Sequence, residues 1–294
     1  MKIIITGSLG HISKPLAEEL VHKGHTVTVI SSRADKTQQI EALGASAAIG
    51  SVEDASFLKT VFTGADAAYC MTPPNFAAAD QLAYYRAVAT AYAEAAKNTG
   101  IRRLVYLSSY GADLEKGSGI ILGSHQAEGI LSKLHGTTVT MLRPGYFYYN
   151  LHRFLDMIKG QGIIGANFGG DDKLVMVSPL DIAAAAAEEL TDTVPQNKIR
   201  YIASDEHTCH EVAAILGAAI GKPDLQWLTF TDEEVKQSML QHGMPPAITE
   251  LLVELQAAIH SGILRRDYEL HPPTLGKVKL QEFAKEFAAA YHKA

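Results

Sequence analysis

The sequence contains little cysteine and no recognisable export signal. Its 294 residues include only two cysteines, Cys70 and Cys209, and these form no CxxC spacing. Isolated cysteines of this kind are typical of reduced thiols in a cytosolic protein. The chain enters an apolar run at once, without a charged leader or cleavage site, and no apolar stretch has the length and low charge of a membrane span. We therefore expect a cytoplasmic protein without a signal peptide.

Excess positive charge is also missing. The formal net charge is −6, whereas nucleic-acid binding needs a basic face. The one Cys/His cluster, His207–His210, has no matching second pair, so we expect no metal site. The motifs of serine hydrolases, zinc proteases, P-loop proteins and EF-hands are absent. These absences favour a small-molecule substrate, with no nucleic-acid or membrane partner, and leave a homo-oligomer open.

Strand-like and helix-like segments alternate up to residue 142. The strand-like segments are Lys2–Thr6, Thr26–Ile30, Ser46–Ile49, Ala67–Met71, Arg103–Leu107 and Thr138–Leu142. The helix-like segments are Ile12–Lys23, Lys36–Leu43, Ala55–Phe62, Ala78–Asn98 and Ile120–Leu134. Several strands are continuous apolar runs, as expected where both faces of a sheet are covered. The alternation predicts an α/β protein with a doubly wound parallel sheet.

The alternation is lost after Pro144. The segment Gln161–Gly170 contains four glycines and is interpreted as a loop, and the last third of the chain is mainly helical. We therefore expect two domains. Residues 1–150 and 171–205 would form a nucleotide-binding domain, and residues 151–170 and 206–294 a smaller, mainly helical substrate or lid domain.

A glycine pair follows the first strand. The stretch Lys2–Ile12 reads KIIITGSLGHI, with Gly7 and Gly10 three residues apart, and Ser13 takes the place of a third glycine. A strand, a tight glycine turn and a helix N-terminus together hold a pyrophosphate, because the backbone can approach the ligand and free N–H groups face the anion. An ordinary structural turn is the alternative reading.

The end of the second strand indicates which dinucleotide binds. It reads Ser31-Ser32-Arg33, with Lys36 one turn later, and has no acid at the position where NAD enzymes bind the ribose 2′-hydroxyl. A 2′-phosphate favours charged, planar donors such as a guanidinium. NADP(H) is therefore favoured over NAD(H), against the alternative of a solvated surface arginine.

Two later strand ends carry polar loops. Met71-Thr-Pro-Pro74 follows the fourth strand and Leu107-Ser-Ser-Tyr-Gly111 the fifth. The prolines predict a rigid loop under the nucleotide. Ser108 and Tyr110 could reach the nicotinamide or a substrate carbonyl, although ordinary loop chemistry explains these residue types equally well.

The helix after the fifth strand offers a proton donor. It opens with Ser124-His-Gln-Ala-Glu128. His125 is the best candidate because imidazole exchanges protons readily near neutral pH. Glu128 lies one turn later and could share its face. The alternative is a capping Ser124 followed by a surface histidine and glutamate.

An aromatic cluster follows the Pro144-Gly145 break. It comprises Tyr146, Phe147, Tyr148 and Tyr149, followed by Asn150. It could form the hydrophobic wall of a substrate pocket, the core between domains, or both.

These motifs occur together and in order, and the chain resembles the NmrA-like family of atypical short-chain dehydrogenases/reductases. The resemblance rests on Thr6-Gly-x-x-Gly10, Arg33, Thr72-Pro-Pro74, Arg103–Ser109, His125-x-x-Glu128, Leu142–Gly145, Val177–Ile182, Glu211–Gly217 and Thr274–Phe283. It spans nearly the whole chain and is strongest for the NAD(P)H-dependent quinone oxidoreductase branch.

The resemblance implies a Rossmann domain with an NADP(H) site. The residues expected at the cofactor are Thr6, Gly7, Ser8, Gly10, His11, Ile12, Ser32, Arg33, Lys36, Met71, Thr72, Pro73, Ser108 and Pro144. The catalytic candidates are His125, Tyr110 and Glu128, and the substrate candidates are Tyr146, Phe147 and Asn150.

The resemblance also implies two kinds of function. Some family members reduce quinones, enones or related carbonyls with NAD(P)H, and others have no chemistry and report the redox state of the dinucleotide pool to a partner. The usual Tyr-x-x-x-Lys motif is absent, and Ser124 and Glu128 stand about where its tyrosine and lysine would be. We expect a quinone reductase first, because reduced quinone oxygens are stabilised by aromaticity and need no strong acid. The alternative is the non-catalytic sensor, and a sugar-nucleotide epimerase or lyase ranks last.

Overall fold

The computed structural model describes residues 1–293 as two compact units. The first comprises Met1–Ser109, Gly123–Arg143 and Ile182–Arg200, and the second Tyr110–Leu122, Pro144–Asp181 and the described residues 201–293. Compared with the division expected from the sequence, the segments 110–122, 144–150, 171–181 and 201–205 fall in the second unit.

Twelve strands are present among residues 1–293. They are β1 (Lys2–Ile5), β2 (Thr26–Ser31), β3 (Ser46–Ile49), β4 (Ala67–Met71), β5 (Arg103–Leu107), β6 (Thr138–Pro144), β7 (Tyr146–Phe147), β8 (Ile163–Ala166), β9 (Lys173–Val177), β10 (Lys198–Ile202), β11 (Asp205–Thr208) and β12 (Gln226–Thr229). Seven of them form one sheet in the order β10-β6-β5-β4-β1-β2-β3. The pairings from β3 through β6 are all parallel.

Twelve α-helices occur in the same part of the chain. They are α1 (Ser13–His22), α2 (Thr37–Glu41), α3 (Ala55–Phe62), α4 (Gln81–Thr99), α5 (Ile121–Leu131), α6 (Leu155–Gln161), α7 (Pro179–Thr191), α8 (Cys209–Ala219), α9 (Asp232–Gln241), α10 (Pro246–His260), α11 (Arg266–Leu270) and α12 (Leu280–Lys293). Local sequence explains several of their ends. Asp80 caps the start of α4 and left-handed Gly100 its end, and Thr208 with Glu211 forms a capping box at α8.

The strand order places the glycine turn at the switch point of the sheet. β1 lies between β2 and β4, so the chain winds one way through β2 and β3 and the other way through β4, β5 and β6. In such sheets the ligand binds beyond the carboxyl ends of the strands at this reversal. The predicted doubly wound Rossmann sheet is confirmed.

The predicted loop over Gln161–Gly170 is wrong. Ile163–Ala166 is strand β8 and pairs in parallel with β12, in register with Trp227 and its neighbours. Gly165 serves close packing rather than a turn, because a Cβ added there would lie 2.2 Å from the Phe230 ring. A high glycine content therefore does not distinguish this strand from a loop.

Each unit has its own apolar core. In the first, Phe62 of α3 and Tyr92 of α4 belong to one buried cluster with Tyr106 of strand β5. In the second, Trp227 lies 5.1 Å from Phe154 by ring centroids, and its indole N–H donates to a carbonyl at 2.8 Å.

No single helix within residues 1–293 has the length and apolar composition to cross a membrane. Two helical segments that meet at 71°, Pro246–His260 and Ile263–Leu270, reach that length and composition only when taken together.

Candidate functional site

The turn between β1 and α1 is tightly wound. The Gly10 N–H donates to the Gly7 carbonyl at 3.1 Å, and the Ser8 N–H donates to the Ile30 carbonyl on β2 at 3.0 Å. Gly7 has φ +91°, and Ser8 has φ +55°, the one positive φ of a non-glycine residue within residues 1–293. Such a conformation costs about 1–3 kcal/mol and is found mainly at ligand sites.

Gly7 leaves no room for a side chain. An added Cβ would lie 2.5 Å from the Ser13 Oγ, and that hydroxyl donates to the Thr6 carbonyl at 2.7 Å. Ser13 therefore closes the packing of α1 against β1, as expected for the small residue at the third position of the glycine motif. The sequence-based reading of G-x-x-G-x-x-S agrees with this geometry.

The N-terminus of α1 is arranged for an anion. Ile12 occupies the N-cap position and gives no side-chain hydrogen bond, and the first turn contains no acidic residue. In this first turn the Lys14 N–H donates to the Gly10 carbonyl at 3.0 Å and Pro15 has no N–H, so a phosphate would meet the Ser13 N–H and the positive end of the helix dipole. His11 is exposed beside them.

Ser31 connects the turn to the end of β2. Its side chain is buried, and its Oγ lies 3.0 Å from the Ser8 Oγ, which donates to it. The same Ser31 Oγ accepts from the Arg33 N–H at 3.1 Å. The position of Arg33 is therefore linked to the glycine turn between β1 and α1 through the Ser31 hydroxyl. Ser32, the predicted cofactor residue, is exposed between them.

The guanidinium of Arg33 is held by Asp35. Arg33 Nε donates to Asp35 Oδ1 at 3.0 Å, and Arg33 Nη2 donates to Asp35 Oδ2 at 2.5 Å. This hydrogen bond raises the pKa of Arg33 and lowers the pKa of Asp35. Lys36 Nζ donates to Gln39 Oε1 at 3.1 Å. Arg33 and Lys36 thus place two positive charges at the end of β2, and the carboxylate of Asp35 lies between them in sequence.

The end of β4 is joined to the turn by Thr6. Its hydroxyl accepts the Met71 N–H at 3.0 Å. The Met71 carbonyl in turn accepts the Tyr92 hydroxyl at 2.8 Å, and the Thr72 hydroxyl lies 3.0 Å from the Tyr106 hydroxyl. These bonds fix the backbone at the start of the Thr72–Pro74 loop, where the prolines add rigidity.

Glu128 lies in a buried network with Ser108 and Arg143. Its Oε1 accepts from the Ser108 hydroxyl at 2.5 Å and from Arg143 Nε at 3.0 Å, and its Oε2 accepts from Arg143 Nη2 at 2.7 Å. The side chains of Glu128 and Arg143 are 11% and 5% exposed. The carboxylate therefore joins α5 to the ends of β5 and β6.

His125 lies one turn before Glu128 on α5. Its side chain is half-buried. The two predicted catalytic residues thus share a helix, but the carboxylate of Glu128 is directed to Arg143.

The remaining predicted residues belong to the second unit. Burial raises the pKa of Tyr110, whose N–H donates to the Pro144 carbonyl at 3.0 Å. Tyr146 lies in the core of that unit and its ring is 6.4 Å from Phe168. Phe147 is half-buried and pairs with the Tyr149 ring at 5.1 Å, and Asn150 lies on the 3₁₀ turn Tyr148–Phe154. Alternate members of the aromatic cluster therefore face the core.

The first unit fits a dinucleotide on its own. The turn after β1 has no room for a side chain at Gly7. The N-terminus of α1 has no side-chain cap. The positively charged Arg33 and Lys36 follow β2. Two contributors are missing from the predicted set, namely Asp35 and Arg143, whereas Ser31 was noted only as part of the strand end. An arginine in an apolar strand requires a partner, and this signal could have identified Arg143.

Comparisons with known proteins show which family the chain belongs to. The sequence profile of the NmrA-like family matches residues 1–261. An NAD(P)H azoreductase of Xenophilus azovorans is 28% identical over 294 residues, 98% of this chain and 99% of that protein. Quinone oxidoreductase 2 of Escherichia coli is 24% identical over 270 residues, 90% of each chain. The structure of a Citrobacter triphenylmethane reductase complexed with NADP(H) superposes with a TM-score of 0.77, 20% identity and coverage of 98% of this chain and 100% of that one.

Proposed function

The chain belongs to the NmrA-like family, and on that premise we propose that it is an NADPH-preferring oxidoreductase that transfers hydride to a small apolar acceptor such as a quinone. The predicted enzyme class, an NAD(P)H-dependent oxidoreductase, is confirmed by relatives named as azoreductase and quinone oxidoreductase. The acceptor and the preference for NADPH are the proposal.

The observation that carries the proposal is the Glu128–Arg143–Ser108 network. Glu128 stands about where an ordinary reductase of this layout has its lysine, and both of its oxygens are committed to structural hydrogen bonds. Lowering the pKa of a catalytic tyrosine by an adjacent lysine is therefore not available here. An acceptor whose reduced oxygens are stabilised by aromaticity, such as a quinone, can react without a strong dedicated acid.

Most of the proposed cofactor contacts come from the first unit. Gly7, Ser8, Gly10, His11 and Ile12 would border the pyrophosphate, which would face the positive end of the α1 dipole. The Ser8 and Gly10 N–H groups hold the turn itself, because they donate to the Ile30 and Gly7 carbonyls. Arg33, with Ser32 and Lys36, would face the 2′-phosphate. Met71, Thr72, Pro73, Ser108 and Pro144 would border the nicotinamide half.

NADPH, when bound, supplies the hydride from its nicotinamide ring. The protein contributes position and a hydrogen bond. We assign the hydrogen bond to the substrate oxygen to His125 or to Tyr110, whose raised pKa keeps the phenol protonated. Glu128 holds Ser108 and Arg143 in place. Tyr146, Phe147 and Asn150 would contact the acceptor, with the aromatic rings providing an apolar wall.

The test is a panel of acceptors with the purified protein. Benzoquinones, naphthoquinones, enones and azo dyes are offered with NADPH and with NADH, and cofactor oxidation is followed by absorbance. We expect acceptor-dependent oxidation, faster with NADPH, that is lost in a Gly7→Ala control. Binding of NADPH without oxidation by any acceptor would overturn the proposal and favour a non-catalytic redox sensor.

A further inference from the structure

The ion pair of Arg33 and Asp35 occupies the donors that a phosphate needs. The two hydrogen bonds are parallel, Nε to Oδ1 at 3.0 Å and Nη2 to Oδ2 at 2.5 Å. Arginine binds phosphate through the same fork of N–H groups. A carboxylate and a phosphate therefore compete for one edge of this guanidinium.

The pair is local and solvent-exposed. Asp35 lies on the single 3₁₀ turn Ala34–Lys36 that directly follows Arg33, and the two side chains are 67% and 57% exposed. A phosphate can displace such a carboxylate without unfolding anything, because no buried contact holds it.

The backbone below the pair is fixed independently. The Arg33 N–H donates to the buried Ser31 Oγ at 3.1 Å, and the Ser31 Oγ also accepts from the hydroxyl of Ser8 in the glycine turn between β1 and α1. An exchange of partners at the guanidinium therefore leaves the loop in place. Lys36 Nζ, the neighbouring cation, is hydrogen-bonded to Gln39 rather than to Asp35.

We propose that Asp35 is a specificity-determining residue whose carboxylate competes with the 2′-phosphate of NADPH for Arg33 and thereby limits the preference for NADPH over NADH. The proposal rests on the proposed function in one respect, the assignment of Arg33 to the 2′-phosphate. NADH carries an uncharged 2′-hydroxyl and leaves the Arg33–Asp35 pair intact, so Asp35 affects the two cofactors differently.

The size of the effect follows from the exposure of the pair. Exposed ion pairs contribute little, and screening by salt weakens them further. Removing the competing charge should therefore tighten NADPH binding about two- to fivefold, with NADH unchanged.

The experiment measures the dissociation constants of NADPH and NADH by titration without any acceptor. Asp35→Asn removes the charge and keeps the side-chain size, and Arg33→Gln removes the guanidinium. The double variant, Asp35→Asn with Arg33→Gln, completes a double-mutant cycle, which isolates the interaction between the two residues. Glu41→Gln, an exposed charge at the end of α2, is the matched control.

The proposal predicts that Asp35→Asn tightens NADPH binding about two- to fivefold, that the gain disappears in the Arg33→Gln background, and that Glu41→Gln changes neither cofactor. Weaker or unchanged NADPH binding in Asp35→Asn would overturn it, as would an equal gain without Arg33. Because no acceptor is present, these results stand apart from the acceptor panel. A lack of turnover in the acceptor panel would therefore not contradict the competition between the Asp35 carboxylate and the 2′-phosphate.

Discussion

Glu128 and Arg143 form a buried, bidentate ion pair, with Nη2 to Oε2 at 2.7 Å and Nε to Oε1 at 3.0 Å. The Ser108 hydroxyl completes the coordination of the carboxylate. The pair thus fixes the ends of β5 and β6, which face the expected nicotinamide half of the site, to α5. Breaking such a pair leaves an uncompensated buried charge.

Substituting Glu128 by alanine should lower the free energy of unfolding by about 3–5 kcal/mol, because Arg143 is left buried without its partner. Urea denaturation measures the change. Glu18→Ala, which removes the exposed partner of Lys14 at 3.8 Å, serves as the control and should cost no more than about 1 kcal/mol. Equal losses in the two variants would contradict the structural role of Glu128.

Replacing Gly7 by alanine should weaken NADPH binding by about tenfold or more, because a Cβ would lie 2.5 Å from the Ser13 Oγ and the turn would have to open. Gly64→Ala is the matched control. Gly64 also has positive φ, at +74°, but an added Cβ meets nothing within 4 Å. It should lose stability while binding NADPH normally. A similar loss of binding in both would mean that backbone strain, not the turn, is responsible.

Changing Arg33 to alanine should reduce NADPH binding by about 1–3 kcal/mol, the range for a charge-assisted hydrogen bond, and leave NADH binding nearly unchanged. Titration with both cofactors measures the difference. Arg102→Ala, which removes another exposed arginine of the same unit, is the control. The role of Arg33 would be refuted by parallel losses for the two cofactors.

Both cysteines should be unreactive in the folded protein. Burial raises the pKa of the Cys70 and Cys209 thiols above the ordinary value of 9.0, so the reactive thiolate is scarce. Because the folded pKa exceeds the unfolded one, the unfolded state loses its protons first as pH rises. The free energy of unfolding should therefore decrease above about pH 9.

A thiol reagent at neutral pH, with and without urea, tests the first expectation, and urea denaturation across alkaline pH tests the second. Rapid labelling without urea would contradict the burial of the two thiols.

The main sheet was predictable because its signals are local. The strands at Ser46–Ile49, Ala67–Met71 and Arg103–Leu107 were predicted with their observed bounds, since short apolar runs between helical segments favour parallel strands. The strand β8 was not predictable in this way. Its glycine at position 165 is required by the Phe230 ring, a contact 65 positions away that no local pattern reveals.

The candidate site was predictable where backbone conformation decides it, at Gly7 and Gly10. The candidate site was less predictable where it depends on hydrogen bonds between side chains. Arg33 follows the strand as expected, but its pairing with Asp35 depends on the short turn between them. The partner of Glu128 is Arg143, 15 residues later on β6, and only the fold brings the two together.

The most direct measurement follows the loss of deuterium from the nicotinamide C4 of NADPH labelled on one face or the other, with a quinone as acceptor under anaerobic conditions. The label is read in the nicotinamide product, because deuterium that reaches a hydroquinone hydroxyl exchanges with water. We expect the label to leave one face of the ring only, unlabelled NADPH to react faster, and the reaction to be lost with Gly7→Ala. Retention of the label in NADPH that is bound by the wild-type protein, in the presence of every quinone offered, would show that the bound cofactor donates no hydride.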